Sequence, residues 1–340
     1  MRTKFIKIKS EEDFEALREP AQCLANGGLV VFPTETVYGL GANALTESSV
    51  KNIYTAKGRP SDNPLIVHVS GSKQAEEVVS HIPEAAQRVM DRLWPGPVTL
   101  VMPKGSCVPD AVTAGLDSVA VRFPSHPVAR RLLELAAVPV AAPSANTSGR
   151  PSPTKAAHVL EDLDGRVDYI IDGGSCTVGL ESTVLDTTVS PAQILRPGGV
   201  SKEELEKILG TVTYDPGLST KGVAPKSPGM KYKHYAPKAQ MTIAEGAGAA
   251  DIVKELAAQA RLEGKRVGIL TCGGDYEADI VLSVGSDAQT YAAHLFDALR
   301  EFDARGADVI FAELPFGESG IEPAIRNRIY KAAGGKVIKC

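Results

Sequence analysis

No CxxC pair occurs in these 340 residues. The five cysteines, at positions 23, 107, 176, 272 and 340, are odd in number and scattered. That argues against a zinc finger and fits reduced thiols in a cytoplasm. No apolar run reaches the roughly 18 residues of a membrane span. The opening MRTKFIKIKSEEDF is too charged for a secretory leader. Neither sign of charge dominates: 37 Lys and Arg face 41 Asp and Glu, for a net charge of −4. Any nucleic-acid contact must therefore come from a local patch. GxxxxGK followed by Ser or Thr is missing, which excludes a P-loop enzyme. GxSxG is missing too, and no cysteine lies in an electropositive motif. Gly39, Gly41 and Ala44 match G-x-G-x-x-A, but PTETV separates them from the preceding strand. Asp62, the acid about 20 residues on, sits in a turn, so a dinucleotide site is not indicated. No internal repeat is visible.

What is present is an alternation of strand-like and helix-like segments. GGLVVF (27–32), LIVHV (65–69), PVTLVMP, SVAVRFP, PVAAP, YIIDGG (169–174), ESTVLDTT (181–188) and AQILRPG are expected strands. SSVKNIYTAKG (48–58), PEAAQRVMDRLW (83–94), HPVARRLLELAA (126–137) and SKEELEKILG (201–210) are expected helices, with Gly58 and Gly210 as stops. βα units mixed with adjacent strand pairs predict a mixed, twisted sheet over residues 1–210. Residues 211–240 lack hydrophobic periodicity and read as a basic, proline-rich linker. KGVAPKSPGMKYKHYAPK (221–238) has five lysines, three prolines and no acid. From 241 to 340 strand and helix alternate again, predicting a small doubly wound, Rossmann-like α/β domain. Glu313, Glu318 and Glu322 read there as a solvated loop.

Six small-residue loops flank the strands of the first part: PTETVYGLGAN (33–43), KGRPSDNP (57–64), VRFPSHP (121–127), APSANTSGRPSPT (142–154), GGSCTVGLEST (173–183) and LRPGG (195–199). Together they offer four cations, Lys57, Arg59, Arg122 and Arg196. They also offer hydroxyls and amides at Thr34, Thr36, Asn63, Ser144, Asn146, Ser152 and Ser182. Carboxylates are few. Each arginine alone is an ordinary surface residue, but loops of one character together describe a pocket for polyanions. On residues alone the reading stops at an anion-binding α/β enzyme.

These segments, in this order, together with WPGPVTL and SPGMKYKHYAP, closely resemble the threonylcarbamoyl-AMP synthases. The likeness is to the long form, with a YrdC-like domain, a linker and a C-terminal domain, and it covers residues 20–237. The resemblance implies condensation of L-threonine, bicarbonate and ATP into threonylcarbamoyl-AMP and pyrophosphate. Partner proteins would then carry the group to adenosine 37 of ANN-decoding tRNAs. The family's K-x-R and S-x-N pairs fall on Lys57/Arg59 and Ser144/Asn146. Threonine contacts fall on Thr36, His68, Arg122, Ala142 and Ser182. ATP contacts fall on Arg59, Asn63, Ser118, Ser144, Ser152 and Arg196, with Tyr232 or Tyr235 from the linker. Mg²⁺ would be held by the phosphates, not by protein ligands. The linker would close over the nucleotide, or serve only as a solubilising hinge. Hydrogenase-maturation carbamoyltransferases and an RNA-binding module without activity are the alternatives. The expected setting is cytoplasmic, away from membranes, with weak tRNA contact possible.

Overall fold

The computed structural model describes residues 2–218, 235–315 and 317–340. They fall into two compact units. The first holds the described residues up to Leu218 apart from 149–152 and 178–180. The second holds those two stretches and the residues from Tyr235 onward.

The first unit is built on one eleven-stranded sheet. Its strands are β1 (Lys4–Lys7), β2 (Val30–Phe32), β3 (Gly39–Asn43), β4 (Ile66–His68), β5 (Val98–Pro103), β6 (Ser118–Arg122), β7 (Val140–Ala141), β8 (Tyr169–Asp172), β9 (Thr183–Asp186), β10 (Ala192–Arg196) and β11 (Val212–Tyr214). Across the sheet they run β1-β8-β2-β3-β7-β4-β6-β5-β9-β10-β11. β4 is parallel to β6 and β5 to β9, while β3 is antiparallel to both its neighbours. The sheet is mixed, as the juxtaposed βα units and strand pairs predict.

Alternation along the strands sorts side chains to two faces. Val67, Leu100, Val119, Val121, Leu185 and Ile194 join the main core. Helices Glu47–Lys57, Glu84–Leu93, Ala156–Leu163 and Lys202–Leu209 supply Ile53, Val89, Val159 and Leu205 to that core. On the opposite face Val30, Phe32, Val140 and Ile171 pack with helices Arg18–Ala25 and Pro127–Ala136. Further along it, Ile66, Val101, Ala120, Val184 and Leu195 make a small apolar cluster. In SVAVR the valines thus enter the core, and Ser118, Ala120 and Arg122 share the face that carries this cluster.

Two stretches differ from expectation. PTETVYGLGAN reads as a loop, yet Gly39–Asn43 is a buried strand. Glycine has low strand propensity, but here its smallness is required. A Cβ on Gly41 would lie 2.8 Å from both the Phe32 ring and Val140. Within the expected linker, Val212–Tyr214 pairs parallel with β10, so the first sheet continues past residue 210.

The second unit holds β12 (Gln240–Glu245), β13 (Val267–Thr271), β14 (Ile280–Ser283), β15 (Val309–Leu314) and β16 (Val337–Lys339). They form a sheet in the order β14-β13-β15-β12-β16 with every neighbouring pair parallel. Helices Ala249–Leu262, Ala288–Ala304 and Glu322–Ala332 complete the expected Rossmann-like alternation. Glu313 departs from its solvated-loop reading. It is buried at the end of β15, where its Oε1 accepts from the Thr271 hydroxyl and, at 3.1 Å, from Cys272 N.

Gly41→Ala is expected to destabilise the first unit by about 1–3 kcal/mol through overpacking. Gly71→Ala, where the added Cβ meets nothing within 4 Å, should cost less, about 0.5 kcal/mol for the poorer cap of the helix Ser72–Val78. Urea midpoints test this; equal midpoints for the two variants would contradict the packing account.

Candidate active site

Arg122 ends β6 beside His68 at the end of β4, and the two are register partners. The Arg122 guanidinium is gripped from three sides. Its Nε donates to the Gly96 carbonyl at 3.4 Å, and its Nη1 to Thr36 Oγ1 at 2.8 Å. Its Nη2 lies 2.7 Å from Glu35 Oε1, in an ion pair whose side chains are only 4% and 8% exposed. The hydroxyls beyond form a network. Thr34 Oγ1 donates to the Val37 carbonyl at 2.6 Å and accepts from the Thr36 and Val37 amides, each at 3.2 Å. Thr36 Oγ1 lies 2.8 Å from Thr34 Oγ1, and either hydroxyl can donate across that pair.

A second cation is held in the same manner. Arg196, ending β10, directs Nη2 at the Ser182 carbonyl at 2.9 Å and at Ser182 Oγ at 3.3 Å. Ser182 Oγ in turn lies 2.7 Å from Thr99 Oγ1. Lys57 is a third. It is the last residue of helix Glu47–Lys57, which Gly58 terminates in the left-handed region at φ 61°. Lys57 is buried, and its Nζ donates to the carbonyls of Ser144 and Asn146, the latter at 2.5 Å, with Asn146 Oδ1 at 3.4 Å. Ser144 Oγ donates to Asn146 Oδ1 at 2.6 Å. The K-x-R and S-x-N motifs, nearly 90 residues apart, are thus one assembly, stitched to β3 by a Gly39–Ser144 bridge.

The remaining predicted residues are placed as follows. Arg59 Nη2 donates to the Asn63 and Pro64 carbonyls, each at 3.2 Å, closing its own turn. Asn63 is buried, and its Oδ1 has no hydrogen-bond partner among the described residues. Ala142 is buried, its N–H donating to the Ile66 carbonyl at 2.9 Å. Ser118 begins β6, about 13 Å of strand rise from Arg122. Ser152 is buried within the second unit, beside Pro151, whose carbonyl accepts from Arg300 Nη2 at 2.7 Å. Tyr235 also belongs to the second unit. It is buried at φ 64°, stacked on Phe296 at 5.0 Å with the Arg328 guanidinium 5.7 Å from its ring. Truncating Tyr235 would therefore remove packing. Tyr232 lies outside the described residues.

Burial, and then the neighbouring Arg122 charge, lower the pKa of His68 to about 3. The ring is neutral at physiological pH and edge-on to Phe32, centroids 6.0 Å apart. Burial raises the cost of charging Glu35, but Arg122 outweighs it and holds the carboxylate below its usual range. Glu35 was not among the predicted site residues. Flanked by two threonines in a polar loop, it gives no local sign of a cation 87 positions away.

Residues 22–198 match the Sua5–YciO–YrdC family model, described as Telomere recombination. Residues 200–334 match the model of the threonylcarbamoyl-AMP synthase C-terminal domain. A threonylcarbamoyl-AMP synthase of Pyrococcus abyssi is 48% identical, with 99% of both chains covered. One of Bacillus subtilis is 50% identical, covering 95% of this chain and 94% of that protein. The crystal structure of P. abyssi Sua5 complexed with L-threonine superposes with a TM-score of 0.97 at 48% identity, over 99% of this chain and 100% of that one. Fold and domain order define a two-unit α/β enzyme of the Sua5–YrdC type. The chain belongs to the threonylcarbamoyl-AMP synthase family, nucleotidyltransferases of tRNA modification. Among the described residues no helix is long and apolar enough to cross a membrane.

The His68 shift has a stability consequence. Between the ordinary value of 6.5 and the folded value of about 3, the unfolded chain binds more protons. Stability should therefore fall as pH drops through 6.5, by up to about 1.4 kcal/mol per pH unit. Glu35 acts in the same direction lower down, its contribution being lost as pH falls through its depressed folded pKa. Urea unfolding at pH 7.5, 6.5 and 5.5 checks this: His68→Gln should flatten the decline over that range. An unchanged slope would show that His68 is not held neutral.

Proposed function

We propose that the protein condenses L-threonine, bicarbonate and ATP into threonylcarbamoyl-AMP and pyrophosphate. This is the first step of N6-threonylcarbamoyladenosine formation at position 37 of ANN-decoding tRNAs. The observation that carries the reading is the Arg122–Thr36–His68 corner on a face that Ser182 and Arg196 extend. It is supported by a relative crystallised with L-threonine that matches this chain end to end.

Arg122 supplies a fork for the threonine carboxylate. Thr36 Oγ1 lies beside Arg122, where it can hydrogen-bond the hydroxyl or the amine of the substrate. Neutral His68 contributes a hydrogen-bonding ring without further charge. The amine, having released its ammonium proton to solvent, attacks the carbon of bicarbonate, whose C–OH bond breaks as water leaves, or adds to CO₂ with loss of a further N–H proton to solvent; either route gives an N-carboxylate. One oxygen of that carboxylate then bonds to the α-phosphorus of ATP as the bond to the β-phosphate oxygen breaks and pyrophosphate departs. All three reactants are anionic, so fixed cations must offset their repulsion. Lys57, Arg59 and Arg196 do so from positions already tied to backbone carbonyls, and positioning supplies most of the acceleration. Ser118, Ser144, Asn146 and Asn63 offer hydroxyls and amides to the nucleotide, and Ser152, Tyr232 and Tyr235 are assigned to it by resemblance alone. Mg²⁺ fits as a phosphate-bound ion. The product would pass to a threonylcarbamoyl transferase complex in the cytoplasm, with tRNA contact weak at most.

Labelled bicarbonate, ATP and threonine provide the test, with the adduct read by mass spectrometry. Lys57→Ala and Arg59→Ala should each lose about 2–4 kcal/mol of transition-state stabilisation while remaining folded. Near-parental turnover in either would sink their assignment. Valine in place of threonine should lower kcat/KM by several orders of magnitude, and serine by only about 10–200-fold. Equal rates with valine would show that the hydroxyl is not read.

A further inference from the structure

Glu35 has no part in the reaction as written, yet it is the carboxylate that meets Arg122. The pair is almost completely buried. An isolated charge in such a place is costly, so the two depend on each other. Besides Arg122, the backbone amides of Glu35 itself and Ser125 face the carboxylate. His126 and Cys176 are the titratable neighbours, and burial favours the uncharged form of each. A guanidinium has five N–H groups. Two are donated at Arg122, from Nε to Gly96 and from Nη1 to Thr36. Nη2 is held 2.7 Å from Glu35 Oε1 by charge, without hydrogen-bond geometry, so both terminal nitrogens keep an N–H for the two oxygens of a bidentate carboxylate.

We infer that Glu35 is a positioning residue for the amino-acid substrate: by holding Nη2 through its charge, it aims the terminal N–H groups of Arg122 at the threonine carboxylate. This rests on the functional reading above. Glu35 itself touches no substrate and acts through Arg122. Two consequences of removing its charge oppose each other. The site gains one net positive charge, which alone would favour an anion. The guanidinium also loses the partner that fixes its rotation, and a small misplacement of a bidentate clamp can cost up to about a hundredfold. Orientation outweighs charge here, because Thr36 and Gly96 alone leave the Glu35 side of the guanidinium free to swing.

Glu35→Gln keeps the shape and removes the charge. Threonine KM should rise about tenfold, and the threonine Kd by calorimetry likewise, with ATP KM within twofold of the parent. In an Arg122→Lys background the same change should move threonine KM by less than about twofold, because the residue through which it acts is already altered. If Glu35→Gln does not fold, Glu35→Asp, with a shorter stem, should show the same selective rise. An unchanged or lowered threonine KM would overturn the inference and make Glu35 a competitor of the substrate. A parallel rise in both KM values, with a lowered melting temperature, would overturn it too and leave a purely structural ion pair. Parent protein that binds threonine but forms no adduct would refute the functional reading while leaving calorimetry to decide on Glu35.

Discussion

A buried guanidinium constrains everything around it. Arg122 sits at the end of a strand whose other face is core, and it cannot remain there as a bare charge. Gly96, Thr36 and Glu35 each meet one of its nitrogens. Those three partners come from two separate loops, so the ion pair and its hydrogen bonds fix the WPGP turn and the PTETV turn together. Removing the cation would leave a buried carboxylate and undo both turns.

The same arrangement recurs at the other cations. Lys57 grips the carbonyls of Ser144 and Asn146, and Arg196 grips that of Ser182. Each charge is first a brace for a loop and only then a field for a ligand. A site assembled this way costs little reorganisation when anions arrive, because its dipoles and cations are already set. The proposed reaction accordingly calls for no nucleophile: reactants held in line by preset charges would need position more than covalent help. On the face that carries Arg122, Ile66, Val101, Ala120, Val184 and Leu195 form a buried apolar cluster.

Much of this was legible in the sequence where local chemistry decided it. Apolar runs marked β2, β4 and β6. Gly58 ended its helix as glycine does, in the left-handed region. The failures lie where tertiary contact overrode local preference. Gly39–Asn43 looked like a loop because glycine is a poor strand former, and only the closeness of Phe32 and Val140 explains it. The helix Ala156–Leu163 passed unnoticed between loops, and β11 was hidden in a stretch without periodicity. Glu35 escaped for a different reason: its partner is distant in the chain, so nothing near it distinguished a buried ion pair from a solvated acid. Tyr235 read as part of a linker, whereas its ring is packed between Phe296 and Arg328.

The central claim is that the Arg122 corner is the amino-acid pocket. A crystal structure of this chain with L-threonine tests it most directly. The account predicts both threonine carboxylate oxygens within about 3 Å of the terminal nitrogens of Arg122, with Nη2 still paired to Glu35. Threonine bound elsewhere, or its carboxylate facing Lys57 or Arg196 with Arg122 untouched, would contradict it.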